Sequence, residues 1–168
     1  YLERCLKFYK KNKVMAIGKQ ISESEVSKQI KNLLLEYQPD IVIITGHDAF
    51  YSKKGEKNDI RNYKNSLNFV NAIKMARKYE KSHDKLVIIA GACQSDYEEL
   101  IKAGANFASS PKRINIHALD PAIIASSIAL TERNKEIDLL ELLEKTKYGK
   151  DGIVGLKSNG LMFVGYPR

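Results

Sequence analysis

Apolar and polar positions along the chain switch between two periods, and the switches mark its elements. Leu2, Leu6 and Tyr9 recur at helical spacing among Lys and Arg, which predicts a short amphipathic helix over residues 1–12. Val14 to Gly18 reads as a first strand. Ser22 and Glu25 form an S-x-x-E capping box ahead of an apolar stripe at Val26, Ile30, Leu33, Leu34 and Tyr37, a helix that Pro39 must stop. The apolar run that follows ends in Thr45-Gly46-His47-Asp48, and a polar loop extends to Asp59. Ile60, Tyr63, Leu67, Val70, Ile73, Ala76 and Tyr79 then predict one long helix. Leu86 to Ala90 is apolar at every position, the pattern of a strand buried on both faces.

Beyond it, Ser95 and Glu98 repeat the capping-box pattern and open a helix that ends near Gly104. Ala105 to Ser109 and Ile114 to Leu119 read as strands. Asp120-Pro121 is an N-cap followed by proline, starting a helix to about Leu130, and Ile137 to Thr146 forms another. Asn159-Gly160, between two apolar runs, predicts a β-hairpin over residues 150–168. Strands that alternate with helices imply an α/β fold: a three-layer sandwich around a mainly parallel sheet, with the hairpin as an extension.

Length and composition narrow the picture. A chain of 168 residues suits a single domain, 1–168, long enough to bury a core. It begins at Tyr1 without an initiator Met, so we expect a fragment of a longer product. A net charge of +8 would suit nucleic acid, but the lysines are spread over every helix without interleaved aromatics, so a solvated basic surface with no nucleic-acid partner is expected. No apolar run approaches a membrane span, so no membrane association is expected. The two cysteines, Cys5 and Cys93, have unlike contexts and should be reduced thiols of a cytoplasmic protein. No phosphate-binding loop, zinc-ligand spacing or other metal or cofactor motif is present.

Chemistry concentrates at two strand ends. Gly91-Ala92-Cys93 places a thiol where a strand turns into a helix, and thiols at a helix's positive end ionise more readily. His47 ends an earlier strand in the same way, and parallel strands deliver such residues to one rim of the sheet. There an imidazole can take a thiol proton and later protonate a leaving amine. His117 is a second possible base, and His83 lies in a charged turn. The bland alternative is a cysteine buried as a small apolar residue. Asp48, Asp96 and Asp120 lie near strand ends or helix starts, where a carboxylate could receive a basic substrate side chain; Gln94 lies beside them.

His47 precedes Cys93, which follows Ala92, by 46 residues. This resembles the caspase–legumain–gingipain–clostripain group of cysteine peptidases, since caspases carry a His about 50 residues upstream of their Ala-Cys nucleophile. The order Gly46-His47 departs from the His-Gly of that group. The oxyanion N–H supplied there by the residue after His would fall to Asp48, beside that of Cys93. Further segments sharpen the resemblance: Thr45-Gly-His-Asp48, Arg61 to Ser66, Ala90 to Ser95, Gly104 to Pro111 and Arg113 to Pro121 are similar to the YabG family of sporulation-specific peptidases. The resemblance implies a caspase-like or flavodoxin-like form of the three-layer sandwich and a cysteine endopeptidase with Cys93 as nucleophile and His47 as base. It further implies cleavage after arginine, self-processing, spore coat and cortex-associated proteins as substrates, and a place in the cytoplasm of the sporulating cell beside the forming coat. Two other readings stay open: an amidotransferase-like Cys hydrolase that uses His117, and a non-catalytic coat module.

Overall fold

The structure, a computed structural model, describes residues 1–163. Its centre is a four-stranded sheet of β1 (Ile41–Ile44), β2 (Val87–Ala90), β3 (Phe107–Ser109) and β4 (Ile153–Gly155), in that spatial order. The first three run parallel and β4 is antiparallel to β3. Six α-helices among the described residues complete the α/β fold: α1 (Leu2–Lys11), α2 (Glu23–Tyr37), α3 (Ser66–Tyr79), α4 (Tyr97–Ala103), α5 (Asp120–Leu130) and α6 (Leu139–Glu144).

The period-two alternation of β2 divides the core into two layers. Ile88 and Ala90 face Leu34 of α2, Phe69 and Ile73 of α3 and Leu100 of α4. Val87 and Ile89 face Tyr9 of α1, Ile124 and Ile128 of α5 and Leu142 of α6. Every β2 residue is therefore buried, and the sheet is covered on both sides, as its uninterrupted apolar run requires. The helices that connect the parallel strands, α3 and α4, share the first face with α2.

Four local expectations change. Val14 to Gly18 forms no strand: Met15 is 94% and Ile17 56% exposed, and Gly18 lies against Leu2 and Leu6 of α1. The long helix begins at Ser66, not Ile60. Residues 60–62 make one 3-10 turn, because the segment before α3 pairs backward instead: Tyr51 N–H donates to Asn62 O, Lys64 N–H donates to Ala49 O, and the Phe50 and Tyr63 rings meet at 5.1 Å. Ile114 to Leu119 is likewise no strand. It is an extended loop whose carbonyls serve the Cys93 turn, Ile114 O receiving the Gln94 N–H and the Ser110 hydroxyl.

The terminal hairpin is replaced by a different pairing. Among the described residues of that extension, only β4 joins the sheet. Asn159 and Met162 bridge to Glu136 and Glu132 of the segment after α5, where a Cβ on Gly160 would collide with Thr131 O. Gly160 is thus a close-approach glycine, not a turn glycine. The end of the expected 150–168 extension, from residue 164 on, lies outside the described residues.

Candidate active site

The last paired residues of the first two strands, Ile44 and Ala90, face each other in register. Thr45 Oγ1 donates to Gly91 O at 2.9 Å and continues the contact beyond the ladder. His47 and Cys93 each stand three residues past that pair, on the same edge of the sheet. They reach this edge by sharp turns. Gly91 has φ +106°, and a Cβ there would meet Leu100 Cδ1 at 2.8 Å and Ser109 N at 3.2 Å. Gln94, just after the thiol, is held at φ +58°, a left-handed conformation that costs a non-glycine residue about 1–3 kcal/mol and is concentrated at functional turns. Gly91→Ala should therefore destabilise the fold by about 2–4 kcal/mol through strain and overpacking; urea unfolding at unchanged slope checks this.

Cys93 is half-buried, with its Sγ 3.9 Å from Ile116 O. Cys5, by contrast, lies against Ala118 O at 3.6 Å, where burial pushes its thiol pKa up over the opposing effect of the N-terminus and Arg4. The positive end of α4 does not face the Cys93 thiol freely. The helix starts four residues later, its cap is Asp96 rather than Ser95, and Glu98 and Glu99 occupy its first turn. Among the described residues, neither the Cys93 N–H nor the Asp48 N–H donates a hydrogen bond.

His47 is presented to solvent with its side chain 81% exposed. Its N–H donates to Glu23 Oε1 at 2.8 Å, its carbonyl accepts Asn65 Nδ2–H at 2.7 Å, and its Nδ1 lies 3.5 Å from the same Glu23 oxygen. Burial pushes the Glu23 carboxyl pKa up, but the His47 N–H, its own N–H and the His47 ring outweigh this and hold it below the usual range. Glu23 is therefore ionised at neutral pH.

The other expected site residues are held by internal contacts. Asp48 is buried and accepts four hydrogen bonds, from Ala49 N–H, Asn65 N–H, Ser66 Oγ–H and Ser95 Oγ–H. Asp120, the first residue of α5 rather than its cap, accepts the His117 and Lys147 N–H groups. Gln94 Oε1 accepts the Phe50 N–H at 3.2 Å. Asp96 is buried; its Oδ1 is 3.6 Å from Arg113 Nη2, while its Oδ2 has no partner among the described residues. Burial outweighs the Glu99 N–H and Arg113 and raises its pKa. Arg113 lies between the Tyr63 and Tyr97 rings, 5.4 and 5.1 Å from their centres.

His117 is near the thiol through its neighbour Ile116, but its Nδ1 receives the Leu119 N–H at 3.4 Å. Sequence reasoning missed Glu23, Asn65 and Ser66. An acidic residue in a helix's first turn is ordinary, and nothing local marks Glu23 as a partner of a histidine 24 residues away.

Comparison with known proteins bears on what this edge does. The family model described as YabG peptidase U57 matches residues 1–167. The chain belongs to this family. It is 46% identical over 167 residues to the Sporulation-specific protease YabG of Bacillus subtilis (strain 168), an alignment covering 99% of this chain and 58% of that protein. The chain thus spans somewhat more than half the length of that YabG relative. No solved structure matches it. Among the described residues no group of three or more His, Cys, Asp or Glu could hold a metal ion, and no helix is long and apolar enough to cross a membrane.

Proposed function

We propose that this chain is the catalytic portion of a sporulation-specific cysteine endopeptidase with Cys93 as nucleophile and His47 as base. The observation that carries the reading is the common edge. Two adjacent parallel strands in register deliver a histidine and a half-buried thiol past Ile44 and Ala90, in a member of a peptidase family.

The S–H proton of Cys93 passes to His47 Nε2 as sulfur bonds to the scissile carbonyl carbon. The resulting oxyanion lies against the Cys93 and Asp48 N–H groups, donors aimed where charge develops. The C–N bond breaks, the amine leaves with the proton from His47, and water deprotonated by the same ring hydrolyses the thioester. His47 is open to solvent, which suits a protein segment laid across an edge. For cleavage after arginine the candidate carboxylates are Asp48, Asp96 and Asp120, of which Asp48 and Asp120 use both oxygens internally and Asp96 is fully buried with Arg113 3.6 Å from its Oδ1. The substrates proposed are spore coat and cortex-associated proteins, with self-processing, in the cytoplasm of the sporulating cell at the forming coat.

The test is incubation of the chain with an arginine-rich protein beside Cys93→Ala and His47→Ala forms, with the products mapped by mass. Cuts after arginine that vanish in both variants are expected. Cuts that survive His47→Ala would transfer the base to His117, a second reading favoured by the 3.9 Å contact between Ile116 O and Cys93 Sγ. Absence of cutting, with Cys93 inert to alkylation, would support the non-catalytic module.

A further inference from the structure

We propose that Glu23 is a positioning residue that holds His47 in the tautomer and orientation needed to take the Cys93 proton, making the site a Cys–His–Glu triad. The inference rests on His47 being the base. An imidazole as exposed as this one is free to sample several rotamers and either neutral tautomer unless a partner selects one. The Glu23 carboxylate is placed to do so. A single oxygen receives the His47 backbone N–H at 2.8 Å and stands 3.5 Å from Nδ1 of the same residue. With the Nδ1–H directed at this oxygen, the lone pair is left on Nε2, the atom that must accept the thiol proton. When that proton arrives, the imidazolium faces a carboxylate, while the Nδ1–H stays in place. The distance exceeds a made hydrogen bond, as catalytic contacts often do before substrate tightens them.

Gly46 supplies the independent observation. Its φ lies outside the left-handed region, so backbone conformation does not require glycine. Yet a Cβ there would stand 2.5 Å from Glu23 Oε1 and 2.9 Å from its Cγ. The glycine before the histidine is what lets the carboxylate come close. This also accounts for the order Gly-His, which the sequence comparison with caspase-like enzymes left unexplained.

Three variants test the proposal on the chain labelled with ¹⁵N-histidine: Glu23→Gln, Gly46→Ala and His47→Ala. Glutamine keeps an acceptor for the His47 N–H and so keeps the turn, but removes the charge. Alanine at 46 leaves Glu23 in the chain and pushes its flexible end away. Both are expected to lower kcat on an arginine-containing peptide by about 10–100-fold, the usual cost of losing an orienting partner, with KM within about twofold. The neutral ring of His47 should show Nδ1–H in the parent chain and chiefly Nε2–H in Gly46→Ala, a change that loss of structure alone does not produce, while Glu23→Gln keeps the acceptor oxygen and the tautomer and reads the loss of charge. A parent ring with Nε2–H overturns the proposal whatever the activity. Unchanged kcat in both variants, beside an inactive His47→Ala form, overturns it and leaves the Cys93–His47 reading intact. Activity retained by His47→Ala removes both.

Discussion

Cys93→Ser should lower peptide hydrolysis by at least about 10³-fold, since removing the proposed nucleophile costs far more than losing any one supporting contact. The thermal midpoint should move by no more than about 2 °C, because little stability is at stake. The structure separates the two effects. The thiol's polar contact is Ile116 O at 3.9 Å, a weak interaction that a hydroxyl can replace or forgo. The turn is held by Gly91, by the Gln94 N–H on Ile114 O and Ser110 Oγ, and by the Ser95 hydroxyl under the Ala92 N–H, none of which involves sulfur. Serine keeps the shape but offers an alcohol far less acidic than a thiol, so a histidine base no longer generates the nucleophile at neutral pH. Single-turnover cleavage of an arginine-containing peptide, read beside thermal unfolding, checks both halves. A serine variant that keeps a tenth of the activity would show that Cys93 does not attack the substrate.

The main lines of the fold were legible because they rest on burial periodicity. The unbroken apolar run Leu86 to Ala90 implied a strand covered on both faces, and β2 is buried throughout. The Ile30–Leu34 stripe predicted α2, and Gln38, in a left-handed conformation ahead of Pro39, ends it. What periodicity cannot see is whether a partner exists. Val14 to Gly18 and Ile114 to Leu119 both have strand-like composition, but neither finds an edge: the first runs exposed over α1, and the second spends its carbonyls on Gln94, Ser110 and Cys93. The false start of α3 at Ile60 has a similar origin. Ile60 and Tyr63 fit the helical spacing by chance, while tertiary pairing of residues 49–51 with 62–64 takes the backbone bonds a helix would use.

For the site, strand ends were readable and their supports were not. Ordinary rules of parallel sheets put His47 and Cys93 on one edge. The groups that surround them come from distant parts of the chain: Glu23 from the start of α2, Asn65 and Ser66 from the start of α3, and Ile116 from an irregular loop. Each is an unremarkable residue locally. Ser95 illustrates the limit, since its S-x-x-E spacing to Glu98 fits a capping box, yet Asp96 caps α4 and the serine hydroxyl is directed instead to Asp48.

Asp48→Ala should cost the fold about 3–5 kcal/mol, the range for leaving a buried, fully hydrogen-bonded polar cluster without its central acceptor. Oδ1 accepts the Ala49 and Asn65 N–H groups at 2.9 and 2.7 Å, and Oδ2 accepts the Ser66 and Ser95 hydroxyls at 2.5 and 2.9 Å. The two serines extend the cluster, Ser66 Oγ accepting the Asp96 N–H and Ser95 Oγ the Ala92 N–H. One carboxylate thus ties the turn that carries His47, the start of α3 and both flanks of Cys93. Alanine strands two N–H groups and two hydroxyls; asparagine keeps one oxygen for the N–H pair and lets the hydroxyls rotate to accept from its amide, so Asp48→Asn should cost about 1–2 kcal/mol. Urea unfolding at constant slope should therefore rank the parent above Asp48→Asn and Asp48→Ala lowest. Both variants retain the backbone N–H at position 48, so the proposed oxyanion donor is not lost with the side chain. Any fall in kcat measured where the variants are still folded then reports displacement of His47 against Cys93, for which a shift near 1 Å is worth about 10²-fold. If Asp48→Ala unfolds within about 1 kcal/mol of the parent, below the cost of even one stranded buried donor, the two turns are held by something other than this carboxylate.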